Sequence, residues 1–290
     1  MKEYFVWLAK IITIFIVVVM FFGVISASQI SKDLVPKSGA KVAVVRLEGM
    51  ILDVSDVLKQ LQDYADDTSI KAIVLRIDSP GGAVGPSQEV YAAVNRAKSQ
   101  KPVVSSMGAV AASGGLYAAM SSSKVFAQPG TLTGSIGVIM QIPNFSELSS
   151  KVGVSVITLK SGDLKDAGNS FRPMTEPEAQ YLTETAKKVH EQFIRDISLG
   201  RNLDISKVRS FADGRVLTGE DAKTLGLVDE FGDMYDAAKS ALSLIEINEK
   251  PVLIEKRKPF QELKDIFQGA KSLVNSLIPQ FSSSILLVSR

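Results

Sequence analysis

The sequence predicts an α/β fold in which a largely parallel sheet is covered by helices, and three observations predict it. β-Branched runs alternate with stretches of helical apolar spacing, the pattern of right-handed strand–helix–strand crossovers. Two glycine pairs, Gly81-Gly82 and Gly114-Gly115, fall where predicted strands end, the place where such sheets gather their ligands. The composition, 46% hydrophobic over 290 residues, suffices for the core of one large domain or two small ones.

In chain order, Tyr4 to Ala27 is almost wholly apolar, with Lys2 and Lys10 near its start and a charge-free run from Ile11 to Ile25. It reaches the roughly 20 residues that span a bilayer. Ser26-Ala27-Ser28 offers small residues for cleavage, but the length and the Trp and Tyr near one end favour a retained anchor over a signal peptide. The positive-inside rule leaves Lys2 and Lys10 in the cytoplasm and the rest of the chain outside it. Residues 29–41, with Pro36, Ser38 and Gly39, read as a linker.

Val42–Leu47 is the first predicted strand, Val54–Tyr64 a helix, Ala72–Ile77 a second strand running into Asp78-Ser79-Pro80-Gly81-Gly82, and Gln88–Lys98 a helix. Val103 to Met120 passes from a β-branched segment through Ala112-Ser113-Gly114-Gly115 into an Ala-rich buried helix. Lys124–Ala127 is a short strand; an apolar strand is expected after the turn at Gly134-Ser135, and another over Val154–Leu159. Glu176–Leu199 is a long amphipathic helix. A turn and short strand over Phe211–Gly219, a small helix opened by Thr218 or Glu220, a turn at Gly226–Asp229 and a helix over Met234–Ile245 complete the core. The tail, residues 249–290, mixes charge with apolar patches too short to span a membrane.

Composition excludes several chemistries. Lys and Arg (33) are interspersed with Asp and Glu (31), for a net charge of +2, so no nucleic-acid-binding patch is expected. Cysteine is absent, which removes disulfides, thiol nucleophiles and Cys-based metal sites. The single histidine, His190, lies in a polar helical pattern; it rules out a His-based zinc site and makes a Ser-His-Asp triad a remote alternative.

Ser113 is the candidate nucleophile. A serine at a strand-to-helix turn, followed by glycines whose N–H groups lie near the helix start, can attack a carbonyl while a neighbouring N–H holds the oxyanion. Taken alone, the same four residues also describe a helix N-cap with close packing. Likewise Ser79-Pro80-Gly81-Gly82 fits a plain turn, Ser135 a turn hydrogen bond, and Lys160 and Lys165 solvated loop charges.

Together, Arg76–Gly82, Ala112–Gly115, Gly134–Val138, Lys160–Asp166 and Asp213–Arg215 resemble the bacterial signal peptide peptidase A family in its short, single-repeat form, over about residues 42–245. The order and spacing of five motifs are far more specific than any one. Leu116 stands where an aromatic is common in that family, a departure that touches packing more than chemistry. The resemblance implies a fold of the Clp protease and crotonase superfamily, with repeated ββα and βαβ units, preceded by a transmembrane helix. The expected organisation is an anchor over 1–28, a linker over 29–41, a peptidase domain over 42–248 and a tail over 249–290.

It further implies a serine endopeptidase with a Ser/Lys dyad. Ser113 matches the nucleophile, Lys165 the general base, Ser135 the residue that orients that lysine, and Gly114 with the Gly81-Gly82 pair the oxyanion-hole region. Lys160 is the competing lysine. Lysine suits such a role only when its pKa falls well below about 10.4, which burial achieves by disfavouring the charged form. No metal and no other cofactor is expected. The implied partners are the bacterial cytoplasmic membrane, with the catalytic domain on its extracytoplasmic side, further copies of the chain in a ring-shaped homo-octamer, and apolar or unfolded peptides, including remnant signal peptides. Other readings are a stomatin-associated Ser/Lys membrane protease, an inert peptide-binding scaffold, and an acyl-CoA hydratase or isomerase of the same superfamily.

Overall fold

The computed structural model describes residues 39–256, together with Tyr4, Trp7 and Thr13, which are helical. The predicted anchor over 1–28, most of the linker and residues 257–290 otherwise lie outside the described residues. Among the described residues, no helix is long and apolar enough to cross a membrane.

The elements run β1 (Ala40–Ile51), α1 (Ser55–Asp66), β2 (Ala72–Gly82), α2 (Val84–Lys98), β3 (Val103–Ala111), α3 (Gly114–Ala119), β4 (Lys124–Ala127), β5 (Leu132–Gly134), α4 (Ser146–Lys151), α5 (Glu176–Arg201), α6 (Ile205–Phe211), β6 (Val216–Thr218), α7 (Gly219–Leu225), β7 (Glu230–Phe231), α8 (Met234–Ser243) and β8 (Pro251–Glu255). The sheet is ordered β6-β5-β3-β2-β1-β8, with β4 also beside β3 and β7 beyond β4. Every pairing is parallel except β5 with β6, so the sheet is mixed.

The strand residues alternate between two cores, as a period of two requires. On β2, Ile73, Leu75 and Ile77 enter the larger core beneath the helices that include α1, α2, α3 and α5. Ala72 and Val74 enter the smaller one, closed by Ala237, Ala238, Ala241 and Leu242 of α8. Central strands buried on both faces read as continuous apolar runs, which is why Ala72–Ile77 is so legible in sequence.

Helix ends follow local chemistry. Thr175 caps α5, and its N–H donates to the Glu178 carboxylate at 2.9 Å. Thr218 and Asp221 form the same reciprocal box at α7, and Asp233 and Asp236 at α8. Asp204 accepts from the Ser206 N–H at 2.7 Å and opens α6, a short helix that the periodicity does not signal.

Three expectations differ from the structure. The strand expected over Val154–Leu159 does not form: these residues are exposed, Ile157 at 85% and Leu159 at 93%, and among the described residues no strand pairs with them. The residues after Ser135 likewise carry no strand. β-Branched sequence sets a preference, but a strand needs a neighbour to complete its ladder. Conversely, Pro251–Glu255, within the segment read as tail, adds β8 to the edge of β1.

Candidate active site

The site grows from two irregularities in the sheet. Between the pairs Ile77↔Met107 and Ser79↔Ala111, β3 bulges, setting residues 108–110 against Asp78 alone. A bulge leaves backbone groups without ladder partners, and here side chains supply them. Arg76 Nη1 donates to the Met107 carbonyl at 3.2 Å and to Ser106 Oγ at 2.9 Å. Asp78 Oδ1 accepts from the Val110 N–H at 3.1 Å. Thr131 Oγ1 donates to the Gly108 carbonyl at 2.9 Å, and Thr133 Oγ1 to that of Ala111 at 2.6 Å.

The second irregularity lies between β1 and β2, after Glu48↔Asp78. Ser79 Oγ donates to the Gly49 carbonyl at 2.6 Å and accepts from the Gly81 N–H at 3.1 Å, while the Ser79 carbonyl accepts from Ala112 at 3.0 Å. Arg76 and Asp78 therefore hold the strand that leads to Ser113, and Ser79 holds the backbone of Gly81 and Ala112 next to it.

Ser113 occupies the turn between β3 and α3 with φ 52° and ψ −119°, a conformation unfavourable for a residue with a Cβ. Its hydroxyl makes no capping bond, so the helix-cap reading of Ala112–Gly115 does not describe it. Its backbone is held instead: the Ser113 N–H donates to the Gly134 carbonyl at 2.9 Å, and its carbonyl accepts from Tyr117 at 2.9 Å. Gly81, at φ +103°, lies so close that a Cβ there would stand 2.8 Å from Ser113 Cβ and from Gly114 N. A Cβ on Gly114 would stand 2.3 Å from Ser87 Oγ and 3.4 Å from Gly82 N, so these glycines keep two backbones in contact. The Gly114 N–H, at the first position of α3, has no partner within its helix.

Ser135 sits in the next turn, also left-handed at φ 51°, and its N–H donates to the Arg215 carbonyl at 2.7 Å. The Asp213–Arg215 motif is that turn's support, with Asp213 Oδ1 accepting from the Arg215 N–H at 3.1 Å.

A cleft of about 30 Å³ opens beside Ser113, walled by Gly82, Val84, Gly114, Tyr117, Val189 and Phe193 among others. The Tyr117 ring lies 5.2 Å from Tyr91 and 4.6 Å from Phe193, and its hydroxyl donates to Asp196 Oδ2. Burial, then that carboxylate, push the Tyr117 hydroxyl pKa upward, so it stays a neutral donor. Tyr91 donates to the Asp196 carbonyl at 3.1 Å and Gln88 to Gln192 at 3.0 Å, which ties α5 to α2 and to the helix after Ser113. Sequence reasoning did not assign Ser79, Tyr117, Val189 or Phe193 to the site; the i, i+4 spacing of the last two on α5 was the available signal.

Four of the five motifs thus converge. Lys160–Asp166 stands apart: Lys165 is exposed in a turn, with its N–H bonded to the Gly162 carbonyl at 3.0 Å, and its ammonium makes no hydrogen bond to Ser113 or Ser135. Lys160 is tied to Asp166 Oδ1 at 2.7 Å and to the Asp163 carbonyl at 2.8 Å. Arg172 bridges Asp166, at 2.9 Å, and Glu178, whose Oε2 it reaches at 2.8 Å. The Lys160 and Arg172 bonds hold Asp166 at a pKa of about 2, and Arg172 with the Thr175 N–H holds Glu178 at about 2. His190 Nε2 is buried with no hydrogen-bond partner, so it makes no triad with Ser113.

The comparisons with known proteins agree with this architecture. Residues 95–248 match peptidase family S49, and residues 43–133 match Clp protease. A candidate protease of Synechocystis sp. is 39% identical over 217 residues, covering 74% of this chain and 78% of that protein. A candidate signal peptide peptidase SppA of Enterococcus faecium is 33% identical, covering 76% of this chain and 68% of its own length. A chloroplastic serine protease SPPA of Arabidopsis thaliana is 33% identical over 78% of this chain but only 34% of that longer protein.

Replacing Gly81 with Ala should destabilise the protein by roughly 2–4 kcal/mol, read from its denaturant midpoint, since both backbone strain and contact with Ser113 oppose it. Glu178 has a pKa lowered on folding, from 4.5 to about 2, so its stabilisation is complete above the unfolded value and fades as pH falls toward the folded one. Thermal melts should therefore show Glu178→Gln less stable than wild type at neutral pH, with the difference closing below pH about 4; a difference independent of pH would contradict the Arg172 pairing.

Proposed function

This chain belongs to peptidase family S49 and is a serine peptidase relative of the Clp proteases, and from that premise we propose that it is a membrane-anchored endopeptidase using Ser113 as nucleophile and Lys165 as general base. The observation that carries the proposal is the Ser113 turn, with its uncapped hydroxyl beside a cleft between Gly82 and Gly114. Neutral Lys165 takes the Ser113 proton as Oγ attacks the peptide carbonyl; the released amine takes that proton, and the acyl-enzyme is then hydrolysed by water activated by the same lysine. Gly114 and Gly82 supply the oxyanion donors, because the Gly81 N–H is already bonded to Ser79. Ser135, next to Gly134, orients the lysine.

Two observations support Lys165 over its rivals. Lys160 is held by Asp166 Oδ1 and the Asp163 carbonyl, and among the described residues His190 Nε2 has no hydrogen-bond partner. Lys165 itself is exposed, so burial sufficient to neutralise it must come from another copy of the chain. The surrounding segment exposes Ile139, Phe145, Val154, Ile157 and Leu159, which suits an intersubunit surface. The assembly is a homo-octameric ring held to the extracytoplasmic face of the cytoplasmic membrane by residues 1–28, with residues 42–248 as the peptidase domain and the tail beyond. The narrow apolar cleft fits small aliphatic side chains, and the substrates are apolar peptides, including signal peptides left in the bilayer.

Hydrolysis of such peptides by the detergent-solubilised full chain should fall by at least about 10³-fold in Ser113→Ala and in Lys165→Ala, remain in His190→Ala, and rise with pH through a lysine pKa below about 10.4. Mixing and reassembling the two inactive variants should restore part of the activity, because some interfaces then pair an intact serine with an intact lysine. Activity that survives Lys165→Ala would remove the dyad; mixtures that stay inactive would place both residues in one copy.

A further inference from the structure

Behind the bulge that leads to Ser113, on the α8 face of the sheet, lies a second cleft of about 330 Å³. It is lined by Arg76, by the bulge residues Gly108 and Ala109, and by Gly130, Thr131 and Asp233 among others. Its volume falls in the range of small-ligand sites, roughly 300–1,000 Å³.

The charges around it are unevenly satisfied. Arg46, the cross-strand neighbour of Arg76, is paired with Glu48 and Glu255. Arg172, Arg195, Arg201, Arg209 and Arg215 each have a carboxylate partner. Among the described residues, Arg76 is the one half-buried arginine with no ion pair. Its hydrogen bonds, both from Nη1, go to neutral oxygens, leaving Nε and Nη2 for another acceptor. The nearby carboxylates form no ion pair with Arg76, and each has one oxygen engaged elsewhere: Asp78 Oδ1 by the Val110 N–H, and Asp233 Oδ1 by the Tyr235 and Asp236 N–H groups. A guanidinium fixed on one side and open on the other recognises a planar oxyanion by two parallel bonds. Asp233 Oδ2 remains to accept an N–H.

We propose that this cleft binds the C-terminal carboxylate of a short peptide, with Arg76 holding the carboxylate and Asp233 accepting from the peptide's N–H. The ligand is of the class that a peptidase releases, yet the site is distinct from the Ser113 cleft and lies on the opposite face of the sheet. It goes beyond the proposed peptidase activity, and its test reads binding rather than hydrolysis.

The probes are N-acetyl-dialanine, the corresponding C-terminal amide, and inorganic phosphate, titrated by calorimetry into the full-length Ser113→Ala protein in detergent. The acid should bind, and the amide at least tenfold more weakly. Arg76→Gln should weaken the acid at least tenfold. Because Arg76 also supports the bulge, a second variant leaves it untouched: Gly130 lines the cleft and a Cβ there meets no atom within 4 Å, so Gly130→Leu adds bulk at the cleft wall and should also abolish binding. Equal binding of acid and amide, no binding of the acid at millimolar concentration, or binding that survives both substitutions would overturn the proposal. Phosphate binding without peptide binding would identify a simple oxyanion site and overturn it equally.

Discussion

The geometry around Ser113 depends on the bulge at residues 108–110 of β3. Without it, the strand would continue its ladder past Asp78 and carry Ser113 away from the Gly81-Gly82 end of β2. The bulge exposes carbonyls and N–H groups inside the protein, where each unpartnered group costs about 1–3 kcal/mol. Arg76, Asp78, Thr131 and Thr133 remove that cost with four side chains from two strands and a loop. The strained turn at Ser113 is then held from three sides: Gly81 against its Cβ, the Gly134 carbonyl on its N–H, and Tyr117 on its carbonyl. Strain of this kind persists only where surrounding contacts over-determine it.

The opposite wall of the site is built differently. α5 crosses the end of α3 and is fastened there by Tyr117 to Asp196, Tyr91 to the Asp196 carbonyl and Gln88 to Gln192. One half of the site is thus rigid within a single chain. The segment carrying Lys165 is the reverse, with apolar side chains facing outward and order supplied locally by the Lys160, Asp166, Arg172 and Glu178 charges. A serine turn held by its own chain and an exposed lysine are what the proposed dyad, completed on assembly, would present in one copy.

Much of this was legible in the residues. Ala72–Ile77 and Lys124–Ala127 announce their strands because a buried parallel sheet admits little but aliphatic and aromatic side chains there. The motifs around Gly81, Ser113 and Ser135 could be placed together because strand ends in such sheets converge. What sequence could not give was partnership. Val154–Leu159 has the pattern of a strand but no strand neighbour among the described residues, whereas Pro251–Glu255, flanked by charge, becomes one because the edge of β1 was open. Arg76 and Asp78 stand in one of the five motifs, but the backbone groups they hold are known only once the register shift opposite them is seen.

The most direct measurement is active-site labelling of the assembled full chain with a fluorophosphonate, with the adduct located by mass spectrometry and its rate followed against pH in wild type and Lys165→Ala. The account predicts a single adduct on Ser113, forming faster as pH rises and greatly slowed in the variant. An adduct on another serine, or a folded and assembled wild type that does not react, would contradict it.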